Sequence, residues 1–317
     1  MQELNDIDFE KYLEDHENRK VAQHIELMTD NLEEVHDYMI NGSVVNGDPL
    51  VWQKTWDLWR ARPSELTIWA GVNGNGKSTA QSMVAAYFNG KSVIASLEMP
   101  TKTTKAKMFR QVTGVANASL DYLRGMAEEL KDKIYLYNKV GRVTPDTIRG
   151  LIVYSAEVLK VNHVFIDSLV KCGLGVDDYN KQKNFVSELS ELAKEYKIHI
   201  HLVVHMRKGR DETELPDKFD IKGAGEITDL ADNVLIVARN TRKQIALQDI
   251  DLTEVEADEW ANQPDGTIRI AKNRHGEFDG KFNFWYDPAS QQWLESKNQK
   301  PYVYKRWSRN DKNSITK

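Results

Sequence analysis

At 317 residues with 40% hydrophobic content, the chain can build one large α/β domain plus an extra element around a substantial core. Its single cysteine, Cys172, excludes a disulfide framework and a cysteine-rich zinc module, which points to a reducing compartment. The net charge of −5 is unevenly placed: residues 1–37 hold twelve acids against three bases, and the remainder is mildly basic, which permits a polyanionic partner without requiring one.

The opening "MQELNDIDFEKYLEDHE" is acidic, unlike a signal or transit peptide, and no apolar run is long enough to span a membrane, so a cytoplasmic protein is expected. Val21, Ile25, Met28, Leu32, Val35 and Met39 recur at helical spacing and predict a helix with one apolar seam, which needs a surface on its own domain or on a neighbouring subunit. "NGSVVNGDP" from Asn41 to Pro49 reads as a linker. The expected organisation is an acidic segment over 1–47, a main domain over 48–298, and a basic, disordered tail over 299–317.

Within "ELTIWAGVNGNGKSTAQSMVAAYF", the buried pattern of Leu66, Ile68 and Ala70 predicts a strand and Thr79 to Phe88 a helix. Between them Gly71, Gly76, Lys77 and Ser78 satisfy GxxxxGK[ST], with Asn73, Gly74, Asn75 and Thr79 completing the loop. Backbone N–H groups at such a turn cradle phosphates, Lys77 reaches the β and γ phosphates, and Ser78 ligates Mg²⁺. ATP or another nucleoside or deoxynucleoside triphosphate is therefore the expected substrate.

Further along, "KSVIASLE", "KIYLYN", "NHVFID", "IHIHLVVH" and "DNVLIVAR" read as strands, with helices expected near 101–112, 119–131, 144–160 and 181–197. This alternation predicts an α/β fold with a mostly parallel central sheet and helices on both faces. From Gly266 the pattern changes to antiparallel hairpins at the sheet edge.

Ligands of open parallel sheets sit at the carboxyl ends of the strands, which singles out three residues. Glu98 could orient and deprotonate an attacking water, or simply open the next helix. Asp167 stands where the Mg²⁺-associated acid of a phosphate-loop protein belongs, or caps a helix. His205 could sense the γ-phosphate and signal to "MRKGRDE" behind it. His199 and His201 raise a metal site through their HxH spacing, against the plainer reading of packed strand histidines.

Two loops begin at the same edge. They carry Lys171, Lys181 and Lys183, then Arg207, Lys208, Arg210, Lys218 and Lys222, either to grip a second polyanion or as solvated charge. "IAKNRHGEFDG" places Lys272 and Arg274 on one face at the end of an expected edge strand, as surface charge or as a finger offered to another subunit.

In order, "ELTIWAGVNGNGKST", "SLEMP", "VFIDSL", "VVHMRKGRDETEL", "KGAGEITDLADNVLIVAR" and "IAKNRHGEFDG" resemble the RecA-like motor domain of hexameric replicative helicases. These include the DnaB-type enzymes, the phage primase-helicases and the mitochondrial helicase Twinkle. The resemblance spans roughly residues 45–295 and implies an ATP-dependent, ring-shaped DNA helicase that moves 5′ to 3′ on single-stranded DNA. It implies that Lys77, Ser78, Glu98, Asp167 and His205 serve one subunit's nucleotide while Lys272 and Arg274 reach in from the next, and that Arg239 and Tyr286 sandwich the base. Gly223 and Gly225 match its DNA-binding loop. The N-terminal seam helix matches a linker that docks on the adjacent subunit of a hexamer. Primase and DNA polymerase of a replisome are implied partners, and phage origin with a bacterial host is compatible with the likeness. No zinc-ribbon or primase domain precedes the motor in this sequence, and its basic tail differs from the acidic one of some phage relatives. The competing classes are a RecA-like recombinase or filament ATPase, disfavoured by "KNR", and an ATP-gated loader or scaffold that does not unwind.

Overall fold

The computed structural model describes residues 8–17, 28–29, 31–41, 47–175, 178–206, 220–221 and 224–304. In chain order these give α1 (Phe9–Glu17), α2 (Leu32–Asn41), β1 (Asp48–Pro49), β2 (Arg60–Ala61), β3 (Leu66–Gly71), α3 (Lys77–Tyr87), β4 (Ser92–Ser96), α4 (Thr101–Thr113), α5 (Leu120–Glu129) and β5 (Ile134–Leu136). There follow α6 (Pro145–Glu157), β6 (His163–Asp167), α7 (Tyr179–Tyr196), β7 (His199–His205), α8 (Ala224–Leu230), β8 (Asn233–Arg239), α9 (Thr241–Ala246), α10 (Glu254–Asn262), β9 (Gly266–Asn273), β10 (Gly280–Asp287) and β11 (Gln292–Leu294).

Among the described residues, one nine-stranded sheet runs β11-β10-β9-β8-β3-β7-β6-β4-β5. The strands from β8 to β5 are mutually parallel, and β9, β10 and β11 follow at the β8 edge, each antiparallel to the strand before it. The central strands are apolar runs buried along both faces, as a sheet covered on two sides requires. One core layer joins α6 and α7 to the sheet through Ile148, Leu151, Phe185 and Leu189; the other joins α3 and α4 through Met83, Val84, Met108 and Trp69.

Local signals fix the helix ends. Thr144 caps α6 by accepting from the Thr147 backbone N–H at 3.1 Å, with proline at the first turn. Gly114, at φ 72°, closes α4 in the left-handed conformation that glycine adopts without penalty.

Four placements differ from the sequence expectations. The acidic segment contains α1, whose Phe9 is 2% exposed and packs edge-on against Tyr137 and Tyr154, with centroids 5.6 and 5.7 Å away. Of the predicted seam, Val21 and Ile25 lie outside the described residues, whereas Leu32, Val35 and Met39 on α2 are exposed. Residues 301–304 belong to the packed body rather than to a tail: Tyr304 is buried, its backbone N–H donates to Val112 O at 2.8 Å, and the rings of Tyr302 and Tyr304 meet Tyr87. Two aromatics outweigh the basic composition there, and residues 305–317 lie outside the described set. Finally, β9 is an interior strand, flanked by β8 and β10, because the second hairpin strand and β11 extend the sheet beyond it.

Candidate active site

The register of the parallel strands gathers the polar strand ends at one edge: Gly71 stands opposite His205, and Ser96, two residues before Glu98, opposite Asp167. The phosphate loop fills the gap between β3 and α3. Gly76 caps α3 with φ 85°, and a side chain there would meet the Trp293 ring at 2.8 Å. A side chain on Gly71 would stand 2.4 Å from Val237 O, so the loop enters through a passage that only glycine fits.

Lys77 is buried, and its ammonium donates to Gly71 O at 2.8 Å and Val72 O at 3.1 Å. Burial pushes its pKa below the ordinary lysine value, against the opposing charges of Asp167 and Glu98. Ser78 Oγ donates to Asp167 Oδ2 at 2.5 Å. Burial raises the Asp167 carboxyl, with the charge of Glu98 acting in the same direction and the Ser78 hydrogen bond opposing. These paired hard oxygen donors, beside an ammonium at the start of a helix, fit Mg²⁺ accompanying a phosphate. Magnesium supplies charge neutralisation on phosphate oxygens when bound.

Glu98 follows β4 and meets Ser168 and His205. Ser168 Oγ donates to Glu98 Oε1 at 2.7 Å, His205 Nε2 lies 3.3 Å from the same oxygen, and Ser168 Oγ lies 3.2 Å from His205 Nε2. Burial pushes the Glu98 carboxyl up, but the hydrogen bonds from Ser168 and His205 and the charge of Lys171 outweigh it, leaving the group below its usual range. Sequence reasoning missed Ser168. Its available signal was its place directly after Asp167 at the end of a buried strand.

Beside the loop opens a cavity of about 260 Å³ lined by Gly74, Gly76, Thr79, Arg239, Tyr286 and Pro288, together with Gln244, Asp265 and Trp293. Arg239 and Tyr286, expected to sandwich a base, thus share one cavity with Gly74, Gly76 and Thr79 of the phosphate loop. Asn73 is exposed on the same loop, and the Asn75 N–H donates to Val72 O at 3.2 Å.

His199 and His201 are core residues. His199 Nε2 and Nδ1 meet Thr67 Oγ1 at 2.7 Å and Arg62 O at 2.6 Å, and His201 Nδ1 accepts from Trp69 Nε1 at 3.1 Å. His201 also stacks on Phe165 at 4.0 Å. Burial lowers His199 to about 3 and His201 well below the usual value, so both are neutral packing groups, and no metal-ligating cluster occurs among the described residues.

The two basic loops divide. Lys171 sits close enough to Glu98 to lower its pKa, and Lys181 pairs with Asp178 at 2.9 Å. Arg207, Lys208, Arg210, Lys218, Lys222 and Gly223 lie outside the described residues, and Gly225 is placed in the first turn of α8. An isolated antiparallel bridge between Met206 and Ile221 ties the ends of this second loop together directly behind His205.

Lys272 and Arg274 are not brought to the phosphate loop. Lys272 pairs with Val234 near the start of β8, whereas Arg239 ends it, a separation of about 17 Å at 3.3 Å per residue. Arg274 Nη1 pairs with the buried Asp232 at 2.8 Å, and Lys272 Nζ donates to Thr228 O and Asp229 O.

Residues 60–294 match the family described as the DnaB-like helicase C terminal domain. The chain belongs to this family. Among solved structures it resembles one described as an ATPase domain, with TM-score 0.67 and 16% identity over 86% of this chain and all of that one. It also resembles a DnaB-like replicative helicase solved with attention to its interactions with primase, with TM-score 0.65 and 16% identity over 89% of this chain and 70% of that one. At this identity the likeness shows the RecA-like ATPase fold. Membership in the DnaB-like family gives the broad class, an ATP-binding helicase domain of DNA replication. No helix among the described residues is long and apolar enough to cross a membrane.

Proposed function

We propose that this DnaB-like domain is the motor of a ring helicase that hydrolyses nucleoside triphosphate while moving 5′ to 3′ on single-stranded DNA, separating the duplex ahead of it. The observation that carries this reading is the division of one chain into two half-sites: a phosphate loop with Glu98 and His205 at one end of β8, and Lys272 with Arg274 at the other. A cation about 17 Å away along the sheet serves a nucleotide only when a second copy brings it there, and a closed head-to-tail ring does so at every interface.

Within one subunit, Lys77 binds the β and γ phosphates, and Ser78 with Asp167 would hold Mg²⁺. Glu98 Oε1 is engaged by Ser168 and His205, which leaves Oε2 to accept a proton from the attacking water. His205 contacts Glu98 on one side and adjoins Met206 on the other, and the Met206–Ile221 bridge links this position to the loop carrying Arg207, Lys208, Arg210, Lys218 and Lys222. A nucleotide-dependent shift of His205 would therefore change the grip of that loop on DNA phosphates. The exposed apolar side chains of α2 suit docking on the adjacent subunit. Six copies and a cooperating primase, supported by the family likeness, belong to the same proposal.

The test is strand displacement on forked DNA. Wild-type protein should displace a strand from forks with a free 5′ tail, with hydrolysis stimulated by single-stranded DNA. Glu98→Gln should bind nucleotide normally yet lose hydrolysis by about two orders of magnitude. DNA-stimulated hydrolysis without displacement would support the loader reading instead, and filaments without rings would support the recombinase reading.

A further inference from the structure

Arg239 ends β8 and contributes a wall to the cavity beside the phosphate loop, yet an arginine on a strand end has many rotamers. One neighbour removes that freedom. With its amide oxygen turned toward Arg239, Gln244 accepts from Nη2 at 2.9 Å and from Nε at 3.0 Å. Both bonds lie on one edge of the planar guanidinium, so they fix its plane and leave its flat faces open. Arg239 Nη1 reaches Gly74 O at 3.5 Å and ties the same group to the phosphate loop.

We propose that Gln244 is a positioning residue for nucleotide binding, holding the Arg239 guanidinium as a preset stacking wall for the base. The proposal rests on the reading of this cavity as the base site.

The other wall is held from the same short helix. Tyr286 donates its backbone N–H to Asp265 Oδ2 at 2.8 Å, while Asp265 Oδ1 pairs with Lys243 at 2.7 Å. Lys243 is buried and also donates to Gln263 O at 2.7 Å. Consecutive residues of α9 therefore secure both walls: Lys243 acts through Asp265 on the Tyr286 backbone, and Gln244 acts on Arg239 directly. The reason for a helix here is local, since Asn240 Oδ1 caps it by accepting from the Lys243 N–H at 3.0 Å. Walls fixed during folding need no ordering when the ligand arrives, so the gain appears in affinity and not in the chemical step.

The experiment compares wild type with Arg239→Ala, Gln244→Ala and Gln244→Glu by titration with ATP and with tripolyphosphate, alongside steady-state hydrolysis. Gln244→Ala should weaken ATP binding and raise KM by about tenfold, with kcat retained at saturation. Gln244→Glu should restore both, because a carboxylate accepts the same two N–H bonds. Tripolyphosphate has no base, so its affinity should be the same in wild type and in both Gln244 variants, a result that general damage to the fold would not give. Wild-type ATP affinity in Gln244→Ala, with Arg239→Ala weakened, would overturn the proposal and leave the base site standing. Wild-type affinity in Arg239→Ala would overturn both.

Discussion

Glu65 directly precedes β3 and is 3% exposed; Asn233 Nδ2 donates to its Oε2 at 2.8 Å and Arg62 stands 3.6 Å from its Oε1. Burial, with the charge of Asp232 adding to it, raises its carboxyl to about 7 against those two favourable contacts. The sign follows from proton counting. Between the ordinary value of 4.5 and about 7 the folded chain keeps a proton that the unfolded chain has lost, so this contribution to stability is complete below pH 4.5 and disappears as pH rises through 7. Urea melts of wild type and Glu65→Gln should therefore diverge by about 3 kcal/mol over that window, with wild type the one that loses stability. Parallel profiles would show that Glu65 is already ionised in the folded protein. At this scale the sequence was informative wherever a side chain ends a buried strand or belongs to a loop with fixed spacing, as Lys77, Ser78, Glu98, Asp167 and His205 do. It was silent on Ser168, Gln244 and Asp265, whose roles depend on which atom of a neighbour they meet. It placed His199 and His201 correctly on a strand, but only the contacts with Thr67, Arg62 and Trp69 decide that these histidines are packing groups.

Among the elements, α1 depends on the absence of one side chain. Gly150 lies in the middle of α6, and a Cβ there would fall 1.8 Å from Phe9 O, so α1 rests directly on the α6 backbone. Helix propensity alone predicts that Gly150→Ala gains about 1 kcal/mol. The contact predicts the reverse, because Phe9 must leave its seat and loses roughly 2 kcal/mol of burial. We expect the contact to win, giving a net loss of about 1 kcal/mol and new protease cleavage within residues 8–17. Phe9→Ala should expose the same segment, and an unchanged digestion pattern in both variants would separate α1 from α6. The long elements were legible because they bury one face over many residues: the four helices expected between 101 and 197 and the five strands between 91 and 239 all form within a few residues of their expected limits. Short elements were not. In α1 the buried apolar anchor is Phe9 alone, in α9 the only buried residue is Lys243 and α10 buries none, too few for a period, and residues 301–304 join the core through two tyrosines that composition alone counted as tail.

At the scale of the whole molecule, the proposed reading makes the sheet a spacer between the phosphate loop at one end and Lys272 with Arg274 at the other. The direction of β9 is decisive: its start faces Arg239 at the nucleotide end, and its last residues deliver Lys272 and Arg274 to the far end. If Arg274 acts in trans, activity belongs to interfaces and not to subunits. Lys77→Ala keeps its own finger and Arg274→Ala keeps its own phosphate loop, so each variant alone should be nearly inactive in DNA-stimulated hydrolysis. Co-assembled at equal amounts in a head-to-tail ring, they should pair an intact loop with an intact finger at about a quarter of the interfaces, and activity should return toward that level. Because Arg274 also pairs with buried Asp232, Arg274→Gln serves as a second finger variant that retains hydrogen-bonding groups. The complementary arm dilutes the double variant Lys77→Ala/Arg274→Ala into wild type. A subunit that works alone would lose activity in proportion to the wild-type fraction. A subunit that needs its neighbour loses it as the square of that fraction, since both the loop and the finger at each interface must come from wild type. A linear decline, or co-assembled mixtures that stay inactive, would return Arg274 to its own subunit as the partner of Asp232 and remove the ring from the catalytic argument.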